Sequence, residues 1–149
     1  MKVVDVGRKL RTRRVAVARG RLSCTAATLD AIERGEIEKG DVVSAARLAG
    51  ILGAKRTPDL VPLCHPVALS GIEVEVKLAR RPSPAILVTA RVRSFDRTGV
   101  EMEAMAAVCT AALCAYDMLK SRERGMILSE VALIRKAGGR TGAWSRTEG

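Results

Sequence analysis

SGIEVEVKLARRPSPAILVTARVR, residues 70–93, holds two runs in which apolar and polar side chains alternate with a period of two. In the first run, residues 70–79, Ile72, Val74, Val76 and Leu78 share one face while Glu73, Glu75 and Lys77 share the other. Residues 85–93 alternate in the same way, and Arg81-Pro82-Ser83-Pro84 between the runs suits a hairpin-like connection. Two half-wet antiparallel strands are predicted, with an apolar face that other elements must cover.

Working outward, RVAVARGRLSC at 14–24 predicts a further strand. Thr25 can cap a short helix running to Arg34, and Asp41 can cap a second in which Val42, Ala45, Ala46, Ala49 and Leu52 form the apolar rows to about Lys55. Thr57-Pro58 stops that helix, and Pro58, Pro62 and Pro66 predict an extended, stiff loop through PDLVPLCHP. Residues 100–122 predict the longest helix, with Glu early and Lys and Arg late, and 126–135 a last strand. The order β, α, α, β, β, α, β is, apart from one extra helix, the βαββαβ pattern of a ferredoxin-like α+β sandwich, an antiparallel sheet packed on helices. At 149 residues a single domain is expected, with a basic arm at 1–13 and a tail at 137–149.

The net charge of +10 points to an anionic partner, and residues 1–21 carry eight Lys or Arg against Asp5 alone. A solvated basic tail explains the same run without function. With one histidine, four cysteines and no CxxC pair, no zinc site of ordinary spacing can be built. No secretory signal opens the sequence, and the apolar run from Ala104 to Tyr116 is too short to span a bilayer. Reduced thiols and a cytoplasmic location are expected, with no membrane partner.

Three places can carry chemistry. In PLCHP, Cys64 and His65 read either as a buried thiol beside a hydrogen-bonded structural histidine or as a proline-braced proton donor or purine contact. In GVEMEA, Glu101 and Glu103 suit the first turn of a helix on electrostatic grounds, but a carboxylate there can also accept from the N1 and exocyclic amine of a guanine. In YDMLK, Asp117 and Lys120 are i, i+3 neighbours, either a surface ion pair or, given the apolar run before them, a partly buried acid–base pair. The chain uses nineteen arginines and only seven lysines, which marks Lys39, Lys55, Lys120 and Lys136 as titratable candidates. Glu103 and Asp117 stand fourteen positions apart on one helix, about 21 Å at ~1.5 Å per residue, so one small ligand can meet both only if two chains contribute.

These motifs together resemble the MoaC family, from VDVGRK through TLDAIERGEIEKGDVVSAARLAGILGAKRTPDLVPLCHP to TGVEMEAMAAVCTAALCAYDMLK and KAGGRTG. The resemblance implies a ferredoxin-like hexamer, a trimer of dimers with active sites between subunits. It implies conversion of (8S)-3′,8-cyclo-7,8-dihydroguanosine 5′-triphosphate to cyclic pyranopterin monophosphate with loss of diphosphate, on the way to molybdenum cofactor. Asp117 is similar to the family's catalytic aspartate, and Lys39 and Lys120 to its acid–base lysines. Leu63, Cys64, His65, Met102 and Glu103 are similar to its substrate-contacting positions, and Lys136 to a pocket residue. The chain departs from the family pattern in Thr141, where serine is usual, in Asp96-Arg97-Thr98 for a more glycine-rich turn, and in starting just before VDVG.

On this reading Arg14, Lys55 and Arg56 are candidates to hold the triphosphate. No cofactor is expected, and a Mg²⁺ ion travelling with the triphosphate is compatible though nothing in the sequence specifies one. The rivals are an RNA-binding ferredoxin-like module, which needs aromatics that 70–79 and 85–93 lack, and a metal-dependent hydrolase, which lacks ligands.

Overall fold

The computed structural model describes residues 1–147. Its elements run β1 (Thr12–Ser23), α1 (Ala26–Glu33), α2 (Val42–Lys55), α3 (Thr57–Leu60), β2 (Leu69–Ala79), β3 (Ala85–Asp96), α4 (Glu101–Leu119), β4 (Ile127–Ala137) and β5 (Trp144–Ser145). The sheet order is β2-β3-β1-β4-β5 with every pairing antiparallel, so the first four strands have the expected ferredoxin-like arrangement. The predicted hairpin is present, with Val76 opposite Val88 and Val74 opposite Ala90.

Alternation explains which face is covered. Ala16, Ala18 and Leu22 of β1 and Ile86, Val88, Ala90 and Val92 of β3 are fully buried, while Arg19, Arg91 and Arg93 point away into solvent. Helices α2 and α4 lie on the apolar side. Buried Ala104, Ala107, Ala111, Ala112 and Ala115 give α4 a thin face that brings its backbone close to its neighbours. On α2 the matching device is Gly53, where a Cβ would collide with the Thr110 side chain and press on the Ala106 carbonyl. Thr25 and Asp41 cap α1 and α2, accepting from the backbone N–H of Thr28 and Ser44 as their positions predict.

Four expectations change. Pro58 does not keep its segment extended: it sits in the first turn of α3, where a missing N–H is harmless, and buried Thr57 donates its hydroxyl back to the Gly53 and Ala54 carbonyls. The expected tail at 137–149 carries a short strand, β5, which pairs Trp144 with Lys136 and Ser145 with Arg135. Strand β3 runs past the expected end at 93 to Asp96, which adds exposed Phe95 to it, while 70–79 and 85–93 carry no aromatic as read. With its end turns included, α4 is long and apolar enough to cross a membrane, but here it is the central helix of the core.

Candidate active site

Helices α2 and α4 run in opposite directions, so the segments flanking α2 meet opposite ends of α4. The segment before α2 brings Lys39 to the C-terminal end of α4; the segment after α3 brings Cys64 to its start. Two separate constellations result.

At the C-terminal end, the Asp117 carboxylate is held between two ammonium groups. Lys39 donates from Nζ to Oδ2 at 2.6 Å and to the Asp117 carbonyl at 3.2 Å, and Lys120 reaches Oδ1 at 2.7 Å. Lys120, then Lys39, pull the carboxyl down to about 2, and Asp117 in return raises Lys120. The expected partial burial is corrected: all three side chains are about half exposed in the single chain, because Asp117 and Lys120 stand at the outer end of α4 and Lys39 comes from an exposed connecting segment. The contact with Asp117 thus favours the charged form of Lys120.

At the start of α4 the environment is the reverse. Glu103 is 2 % exposed, its Oε1 accepts from the Cys64 thiol at 3.8 Å, and its Oε2 has no partner among the described residues. Burial raises the carboxyl pKa above its ordinary value and also pushes the Cys64 thiol up, helped by the carboxylate beside it. Leu63 and Met102 are exposed on either side, and His65 is half-buried in the same loop. An unpaired, buried carboxylate oxygen is costly unless something binds it.

The folded state thus holds the Glu103 proton more tightly than the unfolded chain. That stabilisation is full below the ordinary glutamate range and is lost as pH rises through the raised value. Glu103→Gln is expected to raise the melting temperature at pH 8, about 2–4 °C for each kcal/mol recovered, with the gain shrinking as pH falls toward ~4.3. Thermal melts of both chains from pH 4 to pH 8 check this; a variant less stable at every pH would contradict it.

Close to this carboxylate, Lys136 Nζ lies 3.9 Å from Glu101 Oε1 and bonds to the Thr141 hydroxyl. Thr141 also lines a cavity of about 570 Å³ whose walls include Arg8, Lys9, Arg14, Arg97 and Arg140 and, among the described residues, no acidic one. Arg14 donates to the carbonyls of Asp96 and Arg97, which aims its guanidinium without neutralising it. Gly139 makes room: its φ is +79°, and a Cβ there would strike the Arg14 guanidinium.

The predicted residues therefore divide. Lys39, Asp117 and Lys120 come together, and so do Cys64 and Glu103, flanked by Leu63, His65 and Met102 and with Lys136 reaching Glu101. Of the predicted phosphate ligands only Arg14 lines the basic cavity; Lys55 and Arg56 are exposed at the end of α2 and are not among its walls. Sequence reasoning missed Arg8, Lys9, Arg97 and Arg140 as wall residues, although the density of charge in the N-terminal arm and the Gly138-Gly139 turn were available signals. No group of three or more His, Cys, Asp or Glu side chains is placed to hold a metal among the described residues.

A profile of the MoaC family matches residues 3–139. A cyclic pyranopterin monophosphate synthase of Thermomicrobium roseum is 50% identical over 147 residues, covering 99% of this chain and 88% of the relative. Namesakes from Pelotomaculum thermopropionicum and Novosphingobium aromaticivorans are 48% and 46% identical, over 97% and 99% of this chain and 85% and 92% of their own.

Proposed function

The chain belongs to the MoaC family, and from that premise we propose that it is a cyclic pyranopterin monophosphate synthase of molybdenum cofactor biosynthesis. It converts (8S)-3′,8-cyclo-7,8-dihydroguanosine 5′-triphosphate to cyclic pyranopterin monophosphate and diphosphate. The observation that carries the site assignment is the Asp117 carboxylate gripped by Lys39 and Lys120, 2.6 and 2.7 Å away. Opening the purine-derived ring and reclosing it as a pterin moves protons at nitrogen and carbon, and these lysines are placed to give and take them. Glu103 supplies an Oε2 without a partner among the described residues that can accept from the guanidine edge of the base, and His65 follows Cys64 in the loop that reaches Glu103. The basic cavity around Arg14 receives the phosphates and balances charge on departing diphosphate, while a sugar hydroxyl closes the cyclic phosphate. No redox partner enters this scheme, and a Mg²⁺ ion, where present, would ride on the triphosphate.

Working sites lie between subunits in this reading, in a homo-oligomer of the hexameric kind that the resemblance implies. Glu103 and Asp117 stand too far apart on α4 to share a ligand within one chain, about 21 Å at ~1.5 Å per residue. From Met102 on, the outer face of α4 presents exposed Met102, Cys109 and Leu113, and Leu48 and Leu52 of α2 are exposed as well. Residue 110 is the midpoint of 103 and 117, so a two-fold axis beside Cys109 sets Asp117 of one copy against the acidic start of α4 in another. Apolar contact along the stripe and opposite charge at its ends both favour that pairing.

The test is turnover of the cyclic dihydro-GTP by the purified chain, with diphosphate and pterin product released in equal amounts. A folded protein that binds the substrate but releases neither product overturns the reading. An RNA-binding role is weaker on the same surfaces, since the outer sheet face offers Phe95 where stacking platforms use two or three aromatics.

A further inference from the structure

Lys39 sits on the segment between α1 and α2, and only one side chain of residues 34–40, Ile37, is buried. The ion pair to Asp117 holds only the tip of a long side chain, so it does not by itself set the path of the backbone behind it. The backbone itself is fastened elsewhere. Arg122, in the turn that follows α4, donates from Nη1 to the carbonyl oxygen of Glu36 at 3.2 Å, and its Nη2 lies 3.7 Å from the Glu36 carboxylate. That carboxylate is fixed in turn by Arg34, at 2.7 and 3.2 Å, and is held below its ordinary range by that contact. The neighbouring Glu123 accepts from the backbone N–H and hydroxyl of Thr25 and from the Thr28 hydroxyl. Two consecutive residues thus grip α1 at its start and at the segment beyond its end. Their own turn is set by bonds from the Arg122 and Glu123 N–H groups to the Leu119 carbonyl, and from the Tyr116 hydroxyl to the Arg124 carbonyl.

We infer that Arg122, through the Glu36 carbonyl, is a positioning residue that sets the Lys39 segment in register with the Asp117 carboxylate. The inference rests on the role given above to Lys39 and Asp117. The reason lies in chain geometry: Arg122 and Asp117 both leave the C-terminal end of α4, so a bond from Arg122 to the Lys39 segment references both partners of the proton-transfer pair to one rigid helix. Arginine suits this because its fork reaches a carbonyl and a carboxylate together. Small displacements of a reacting group are expensive in rate, whereas an exposed bond adds little to stability.

The experiment compares steady-state kinetics and thermal melts of the parent with Arg122→Ala, Arg122→Lys and Lys39→Ala. Arg122→Ala is expected to lower kcat about tenfold with KM within about twofold and the melting temperature unchanged. Arg122→Lys should recover part of the rate, since an ammonium can still donate to the Glu36 carbonyl. Parental kcat in Arg122→Ala, or a rate loss that follows a drop in melting temperature and that lysine does not relieve, would overturn the positioning role. Lys39→Ala separates the two levels. If it is inactive while Arg122→Ala is normal, only the positioning role falls; if it turns over at the parental rate, the assignment beneath it falls as well.

Discussion

Asp117→Asn lowers kcat at least about 100-fold, while the chain keeps its fold and its melting temperature stays near that of the parent. The carboxylate presents two acceptor oxygens, one to Lys39 and one to Lys120. An amide of the same shape keeps one acceptor and turns an N–H₂ donor toward the other ammonium, so one lysine must swing away. Lys120 also loses the contact that raises its pKa. Lys120, then Lys39, hold the carboxyl at about 2, so the folded chain favours the ionised form that both ammonium groups grip. For a depressed carboxyl the stability contribution is present above the ordinary aspartate range and fades as pH falls toward the depressed value. The group is exposed, so solvent screening keeps that contribution small at neutral pH and the folded variant remains testable. Saturating-substrate rates alongside melting curves decide the matter, and a well-folded Asp117→Asn chain with near-parental kcat removes Asp117 from the machinery.

What could be read in the sequence follows from how local each signal is. The period-two runs at 70–79 and 85–93 and the capped helices at Thr25 and Asp41 depend on neighbours along the chain, and these elements stand where they were expected. The Pro58 turn misled because proline breaks a helix interior but fits a first turn, and only the packing of Thr57 under α2 chooses between them. β5 is two residues long and exists through its pairing with Arg135 and Lys136, which no local pattern announces. In the candidate site, YDMLK placed Asp117 beside Lys120, but the arrival of Lys39 from the far side of α2 is a product of topology. The same holds for the depth of Glu103: an acidic first turn is ordinary, and its burial beside Cys64 arises from where the Pro62–Pro66 loop lands. The clamp from Arg122 to a backbone carbonyl had no signal, since any residue at 36 offers that acceptor.

Mixing two crippled chains restores turnover if each working site draws on two subunits. Asp117→Asn spoils the lysine–aspartate end and leaves Glu103 intact; Glu103→Gln does the reverse. In a homo-oligomer assembled from equal amounts of both, chance pairing gives about one site in four with both halves parental, so activity should return to about a quarter of the parental value. Either variant alone stays at its own low rate whatever its concentration. Co-expression with two different affinity tags, followed by purification on both, ensures that the measured species contains both chains. The exposed apolar stripe of Met102, Cys109 and Leu113 is what makes such mixed assembly expected, since neither substitution falls within it. If every site were complete within one chain, the mixture would show only the average of the two variants. That outcome would leave α4 with its two chemical ends serving different ligands, and it would take the stripe between them out of the active site altogether.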